Sequence, residues 1–153
     1  LDHDGNAIDA SVFEGQWDLV FFGFTHCPDI CPITLQVLAD ARRQLAANGQ
    51  ATLPRIVLVS VDPERDTPEI LGNYIAAFGD GNLGITGDLQ ELRKLTGALG
   101  IFFQKAASDN DYYSVDHASV VIAIDPQGRY RAVFSSPHKA SNFVHDFPLL
   151  TRL

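Results

Sequence analysis

Apolar residues along this chain fall into two patterns: short continuous blocks, and longer stretches with a helical beat. The block WDLVFFGF, residues 17–24, is nearly unbroken and rich in β-forming types. RIVLVSV, residues 55–61, and SVVIAI, residues 119–124, have the same character. Blocks of this kind suit strands buried on both faces of a sheet. After the first block, Ile33, Leu35, Leu38, Ala39, Leu45 and Ala46 recur near a helical period, and Asn48-Gly49 supplies the stop. Thr67-Pro68-Glu69 reads as N-cap, first-turn proline and first-turn acid, opening a second helix that runs to about Phe78. Asp88, with Glu91 three residues later, opens a third helix ending between Gly97 and Gly100. IFFQKA, residues 101–106, is read as a further strand. The turn Pro126-Gln127-Gly128 joins 119–124 to YRAVFS, residues 130–135, as a hairpin. A short helix from Lys139, disturbed by Pro148, closes the chain. Residues 1–16 place Gly5, Asn6 and Gly15 around short alternating runs and read as a turn-rich β entry.

Strands and helices thus alternate first, and a hairpin plus helix follow. That order predicts an α/β fold: one mixed central sheet with helices on both faces and a C-terminal β-hairpin plus helix. No repeat, low-complexity tract or linker divides the sequence, so residues 1–153 are expected to form one domain. A chain of this size buries about 70% of its unfolded surface and needs no disulfide to hold its core. Its composition, 46% hydrophobic and 20% charged, is ordinary for a globular domain. No run approaches the ~18 consecutive apolar residues of a membrane span. The sequence contains no methionine, which suggests a mature form from which a signal peptide or N-terminal anchor has been removed. Eleven basic against nineteen acidic residues give a net charge of −8. With no Lys/Arg cluster, this charge argues against nucleic acid or an anionic membrane surface as partner and suits a partner with a basic docking face.

Both cysteines lie in GFTHCPDICPITL, residues 23–35, as Cys27 and Cys31, each followed directly by proline. This stretch joins a buried strand to a long helix, where free N–H groups and the helix dipole favour an anion. A thiol placed there is pushed towards thiolate, the reactive and metal-binding form. Proline is tolerated only in the first helical turn, so the regular helix should begin close to Cys31, with Cys27 before it. A four-residue offset puts the two Cα atoms roughly 6 Å apart if that turn is near helical. A disulfide spans about 4.4–6.8 Å, and two sulfurs at the same separation converge on a metal at about 2.3 Å each. Spacing alone does not decide between the two. The dithiol redox pattern Cys-x-x-Cys is one residue shorter and usually follows tryptophan, where this chain has His26.

Two thiolates bind soft metals, and imidazole is the natural further donor for copper. His3 is near a terminus, His138 and His145 lie in the C-terminal segment, and the side chain of His26 is expected to point away from its neighbour Cys27. His117, in SVDHASVVIAID, immediately precedes a central strand, and loops at strand ends commonly form sites in α/β sheets. Cys27, Cys31 and His117 do not make a structural zinc site, which closes with four ligands. Three such donors accommodate copper as Cu(I) or Cu(II).

The chain resembles the Sco/SenC family of copper-handling proteins, which have a thioredoxin-like fold. Four segments carry the resemblance in order: LVFFGFTHCPDICPITL, LVSVDPERDTPEIL, ITGDLQEL and YYSVDHASVVIAIDPQGRY. The resemblance implies that Cys27, Cys31 and His117 bind copper. It implies a metallochaperone that delivers copper to the binuclear centre of cytochrome c oxidase, or keeps that centre's cysteines reduced. The implied partners are the oxidase subunit carrying that copper centre and other copper chaperones. The implied location is the bacterial periplasm, anchored to the inner membrane by an N-terminal helix, or the mitochondrial intermembrane space. Thioredoxins usually place a cis-proline in the loop where this chain has Asp116-His117. Asp62 and Pro63 fit a turn that ends a strand as well as a place beside the metal.

The rival reading is a thiol–disulfide oxidoreductase, with Cys27 as attacking thiolate and Cys31 as resolving partner. His117 discriminates, because a reductase does not need it. A peroxiredoxin-type peroxidase fits worse: Thr25-His26-Cys27 is too short for threonine-x-x-cysteine. A copper sensor would use the same ligands.

Overall fold

A computed structural model of the chain describes residues 1–8, 10–23, 30–50, 52–60, 66–79, 81–87, 90, 94, 121–134 and 138–151. Five strands form one mixed sheet: β1 (Asp18–Gly23), β2 (Arg55–Ser60), β3 (Leu83–Ile85), β4 (Val121–Ile124) and β5 (Tyr130–Phe134). Their order is β3-β2-β1-β4-β5. The three strands β1, β2 and β3 run parallel, β4 is antiparallel to β1, and β5 returns antiparallel to β4. Every residue of β1 and β4 is buried. Their continuous apolar sequences have no polar face to turn to water, and the sheet interior is where such strands belong.

Three helices stand among the described residues: α1 (Ile30–Ala47), α2 (Pro68–Ala76) and α3 (Ala140–Thr151). Their apolar faces enter one cluster with Leu19 and Phe21 of β1, Ile56 and Leu58 of β2, and Val121 and Ala123 of β4. α1 contributes Leu35, Leu38 and Leu45, α2 contributes Leu71 and Ile75, and α3 contributes Phe143 and Phe147. Phe147 meets Trp17 edge-on at 5.7 Å between ring centroids, just before β1 begins. The opposite sheet face, with Val20, Phe22, Val57, Val59 and Ile122, is buried as completely. The predicted third helix (88 to 97–100), the predicted strand 101–106 and the stretch before Val121 lie wholly or largely outside the described residues.

Local signals explain where the elements stop. Gly49, two residues past the end of α1, has φ +78°, a conformation that glycine reaches without penalty. Thr67 caps α2 by accepting the Ile70 N–H at 3.3 Å, and Pro68 follows as the first helical residue. The hairpin turn places Gly128 at φ +77°. Three expectations change. Residues 1–16 form no strand among those described; they carry a 3-10 turn (Ala10–Phe13) and two isolated bridges, Asp2 to Ile85 and Glu14 to Gln127. β3 went unread, since three residues in NLGIT give no period to detect. Finally, α3 continues through Pro148 to Thr151, whose hydroxyl donates to the Pro148 carbonyl at 2.9 Å. Phe143 and Phe147, both fully buried, hold the helix in place across the missing N–H.

Candidate functional site

The sheet register brings three chain crossings to one end of the molecule. Gly23, the last residue of β1, pairs with Ser60, the last residue of β2. Phe21 pairs with Val121, the first residue of β4. The C-terminal ends of β1 and β2 and the N-terminal end of β4 therefore share one edge, with β1 in the middle. Ligand sites in α/β sheets collect at the carboxyl ends of the parallel strands, and this is that end.

Cys31 is the second residue of α1, as the proline spacing predicts, and Pro32 falls in the first turn, where no intrahelical bond is lost. The first turn itself contains no acidic residue. Cys27, His26, Asp62, Pro63 and His117 lie outside the described residues. The remaining histidines are engaged elsewhere. His3 Nδ1 accepts the Gly84 N–H at 3.1 Å and so serves the edge of β3. The ring of His138 packs 5.8 Å from that of Phe143, and exposed His145 pairs with Asp146 at 2.7 Å. Among the described residues, no group of three His, Cys, Asp or Glu side chains could hold a metal ion.

A buried polar pair at this edge escaped the sequence reading. The Ser60 hydroxyl donates to Asp66 Oδ2 at 2.7 Å, and both residues are wholly buried. The Thr86 hydroxyl, one residue beyond β3, donates to the Asp66 backbone carbonyl at 3.1 Å. An acid set directly before a Thr-Pro helix start was the available signal.

A second buried acid, Asp18, sits at the far end of β1. Arg55 grips it with Nε at 2.7 Å and Nη2 at 3.1 Å, and Gln16 adds a bond at 3.0 Å. Burial pushes its carboxyl above the ordinary value, against the pull of the Arg55 guanidinium and these bonds. It lies at the opposite end of β1 from Gly23 and ties β1 to β2.

No helix among the described residues is long and apolar enough to cross a membrane. A family model described as SCO1/SenC matches residues 1–150. A Stutzerimonas stutzeri protein is 34% identical over 148 residues, covering 97% of this chain and 72% of its own length. The human mitochondrial SCO2 homolog is 36% identical over 141 residues, 92% of this chain; the chain spans only 53% of that protein. The structure of Arabidopsis thaliana ScoI with copper bound superposes with a TM-score of 0.90 at 29% identity, covering 99% of this chain and 94% of the other. Bradyrhizobium japonicum ScoI with copper bound gives a TM-score of 0.77 at 30% identity, covering 99% and 93%. The mixed five-stranded sheet is the thioredoxin-like fold of these structures. Matched from end to end in sequence and in fold, this chain belongs to the SCO1/SenC family.

Proposed function

We propose that this chain is a copper metallochaperone. Cys27 and Cys31 take up copper as thiolates, His117 completes the site, and the cargo passes to the binuclear copper centre of cytochrome c oxidase. The observation that carries this reading is the strand register, with Gly23 opposite Ser60 and Phe21 opposite Val121. Cys27 follows Gly23 by four residues, and His117 precedes Val121 by four. At about 3.3–3.6 Å per extended residue, each is tethered within about 14 Å of one sheet edge. The copper-bound Arabidopsis and Bradyrhizobium structures support copper as the cargo.

Cys31 belongs to the first turn of α1, and the start of a helix is a place that favours negative charge and hence thiolates in general. Each cysteine that enters as thiolate releases one proton, so uptake weakens at low pH. Three donors leave a position open for an incoming thiolate of the recipient, and transfer then proceeds by exchange, with Cys27, Cys31 and His117 letting go in turn. A Cys27–Cys31 disulfide, two electrons and two protons poorer than the dithiol, has no thiolate to offer. The proposed setting is the periplasmic face of a bacterial inner membrane, reached through a segment N-terminal to this chain. The mitochondrial intermembrane space is the alternative.

The test is Cu(I) uptake by the reduced protein, by the oxidised protein, and by Cys27→Ser and Cys31→Ser. Uptake should be one-to-one in the first and lost in the other three. Uptake that is indifferent to oxidation refutes the mechanism. Weak uptake by a redox-active dithiol would point instead to a thiol–disulfide oxidoreductase.

A further inference from the structure

A fully buried polar side chain is costly unless it is hydrogen-bonded, and a helix start does not by itself require one. α2 already has a Thr67 cap and Pro68 in its first turn. Asp66 Oδ2 accepts the hydroxyl of Ser60, the last residue of β2, and so links the entry to α2 with the sheet. Ser60 is the register neighbour of Gly23, from which the chain runs on to Cys27. The Asp66 carbonyl is held in turn by Thr86 at the end of β3. One residue thus ties the two ends of the stretch 61–65 to each other and to the ends of two neighbouring strands. All of this lies at the sheet edge to which the Cys27 and His117 stretches connect.

We infer that Asp66, through its buried bond to Ser60, is a positioning residue for the thiol–imidazole site. It fixes how the chain passes from the end of β2 to the start of α2, at the same end of the sheet as Gly23, from which the chain runs on to Cys27. This role rests on the copper reading only for its effect on copper. Its effect on the thiols does not depend on any metal. Groups that orient metal ligands typically contribute about 10–100-fold to affinity, and that is the scale expected here.

The experiment compares Asp66→Ala, Asp66→Asn and Ser60→Ala with Phe147→Leu, a core change beside Trp17 at the opposite end of β1. Two readouts are taken on the intact reduced protein. One is the pH profile of iodoacetamide alkylation of the metal-free thiols, and the other is Cu(I) affinity by competition with bicinchoninate. Asp66→Ala is expected to move the alkylation profile and to weaken Cu(I) binding about tenfold. Asp66→Asn, whose side-chain oxygen still accepts the Ser60 hydroxyl, should restore both to within about twofold. Ser60→Ala removes only the donor and should follow Asp66→Ala, keeping the test available if that variant does not fold. Phe147→Leu should lower the melting temperature and leave both readouts unchanged. Alkylation and copper binding in Asp66→Ala and Ser60→Ala that match Phe147→Leu would overturn the inference while the copper reading stands. A wild-type protein that takes up no copper, with an alkylation profile still moved by Asp66→Ala, would support the positioning role and overturn the copper reading.

Discussion

Gly84, in the middle of the edge strand β3, should not tolerate even one added methyl. A Cβ built there would lie 2.7 Å from Leu71 Cγ, 2.9 Å from Leu71 Cδ2 and 3.3 Å from Ile75 Cδ1. Carbon atoms pack at about 3.5–4.0 Å, so Leu71 would have to retreat by close to 1 Å. It has nowhere to go, being wholly buried in a cluster packed to crystal-like density. Overpacking of this kind typically costs about 1–3 kcal/mol. Against it, replacing glycine narrows the unfolded ensemble and returns about 0.4–1 kcal/mol, since the Gly84 backbone is not left-handed. The net expectation for Gly84→Ala is about 1–2 kcal/mol of destabilisation, or about 2–8 °C for a domain of this size. Urea unfolding should show a lower midpoint at unchanged slope. In a Leu71→Ala background the new methyl enters vacated space, so the two changes should couple by about 1 kcal/mol or more. A neutral or stabilising Gly84→Ala with no coupling to Leu71 would refute the close approach of α2 to β3.

Other expectations follow from single interactions. Thr67→Ala removes the cap on the Ile70 N–H and should cost about 1 kcal/mol in chemical unfolding, whereas Thr67→Ser should cost little. Phe143→Ala empties a wholly buried ring that stacks 4.4 Å from Phe134 and should cost about 3–5 kcal/mol; a loss below 1 would mean that α3 is not docked as described. Burial alone would raise the pKa of Asp125, but the N–H groups of Arg129 and Gln127 and the Arg129 guanidinium outweigh it and hold the carboxyl below its ordinary value. A lowered folded pKa gives stability that is present above the unfolded value of about 3.9 and is lost as pH falls through the folded one. The wild type should therefore lose stability more steeply on acidification below about pH 4 than Asp125→Asn, and parallel acid-unfolding curves would contradict the assignment.

The sheet was legible where sequence periods were long enough to read. β1, β2 and β4 announced themselves as continuous apolar blocks, because strands with neighbours on both sides have no solvent face. The ends of α1 and α2 followed from Gly49, Thr67 and Pro68, residues whose backbone chemistry acts locally. β3 was not legible: three residues pairing through Val57, Leu58 and Val59 owe their place to β2 and to the helix packed on Gly84. The start of α1 at Ile30 could be read from two prolines, while the persistence of α3 through Pro148 could not, because tertiary burial of Phe143 and Phe147 decides it. Of the candidate site, the sequence names Cys27, Cys31 and His117, and the fold adds the common edge to which their stretches connect. The Ser60–Asp66 pair was hidden for a plain reason. Two polar residues six apart in sequence show nothing of their burial until the sheet is assembled.

The most direct test of the copper account is a Cu(I) and Cu(II) competition titration of fully reduced protein beside His117→Ala. One-to-one binding that the substitution weakens at least tenfold, about 1.4 kcal/mol, is the predicted result. Binding of the same strength in both proteins would contradict a third, imidazole ligand and leave a bare dithiol in its place.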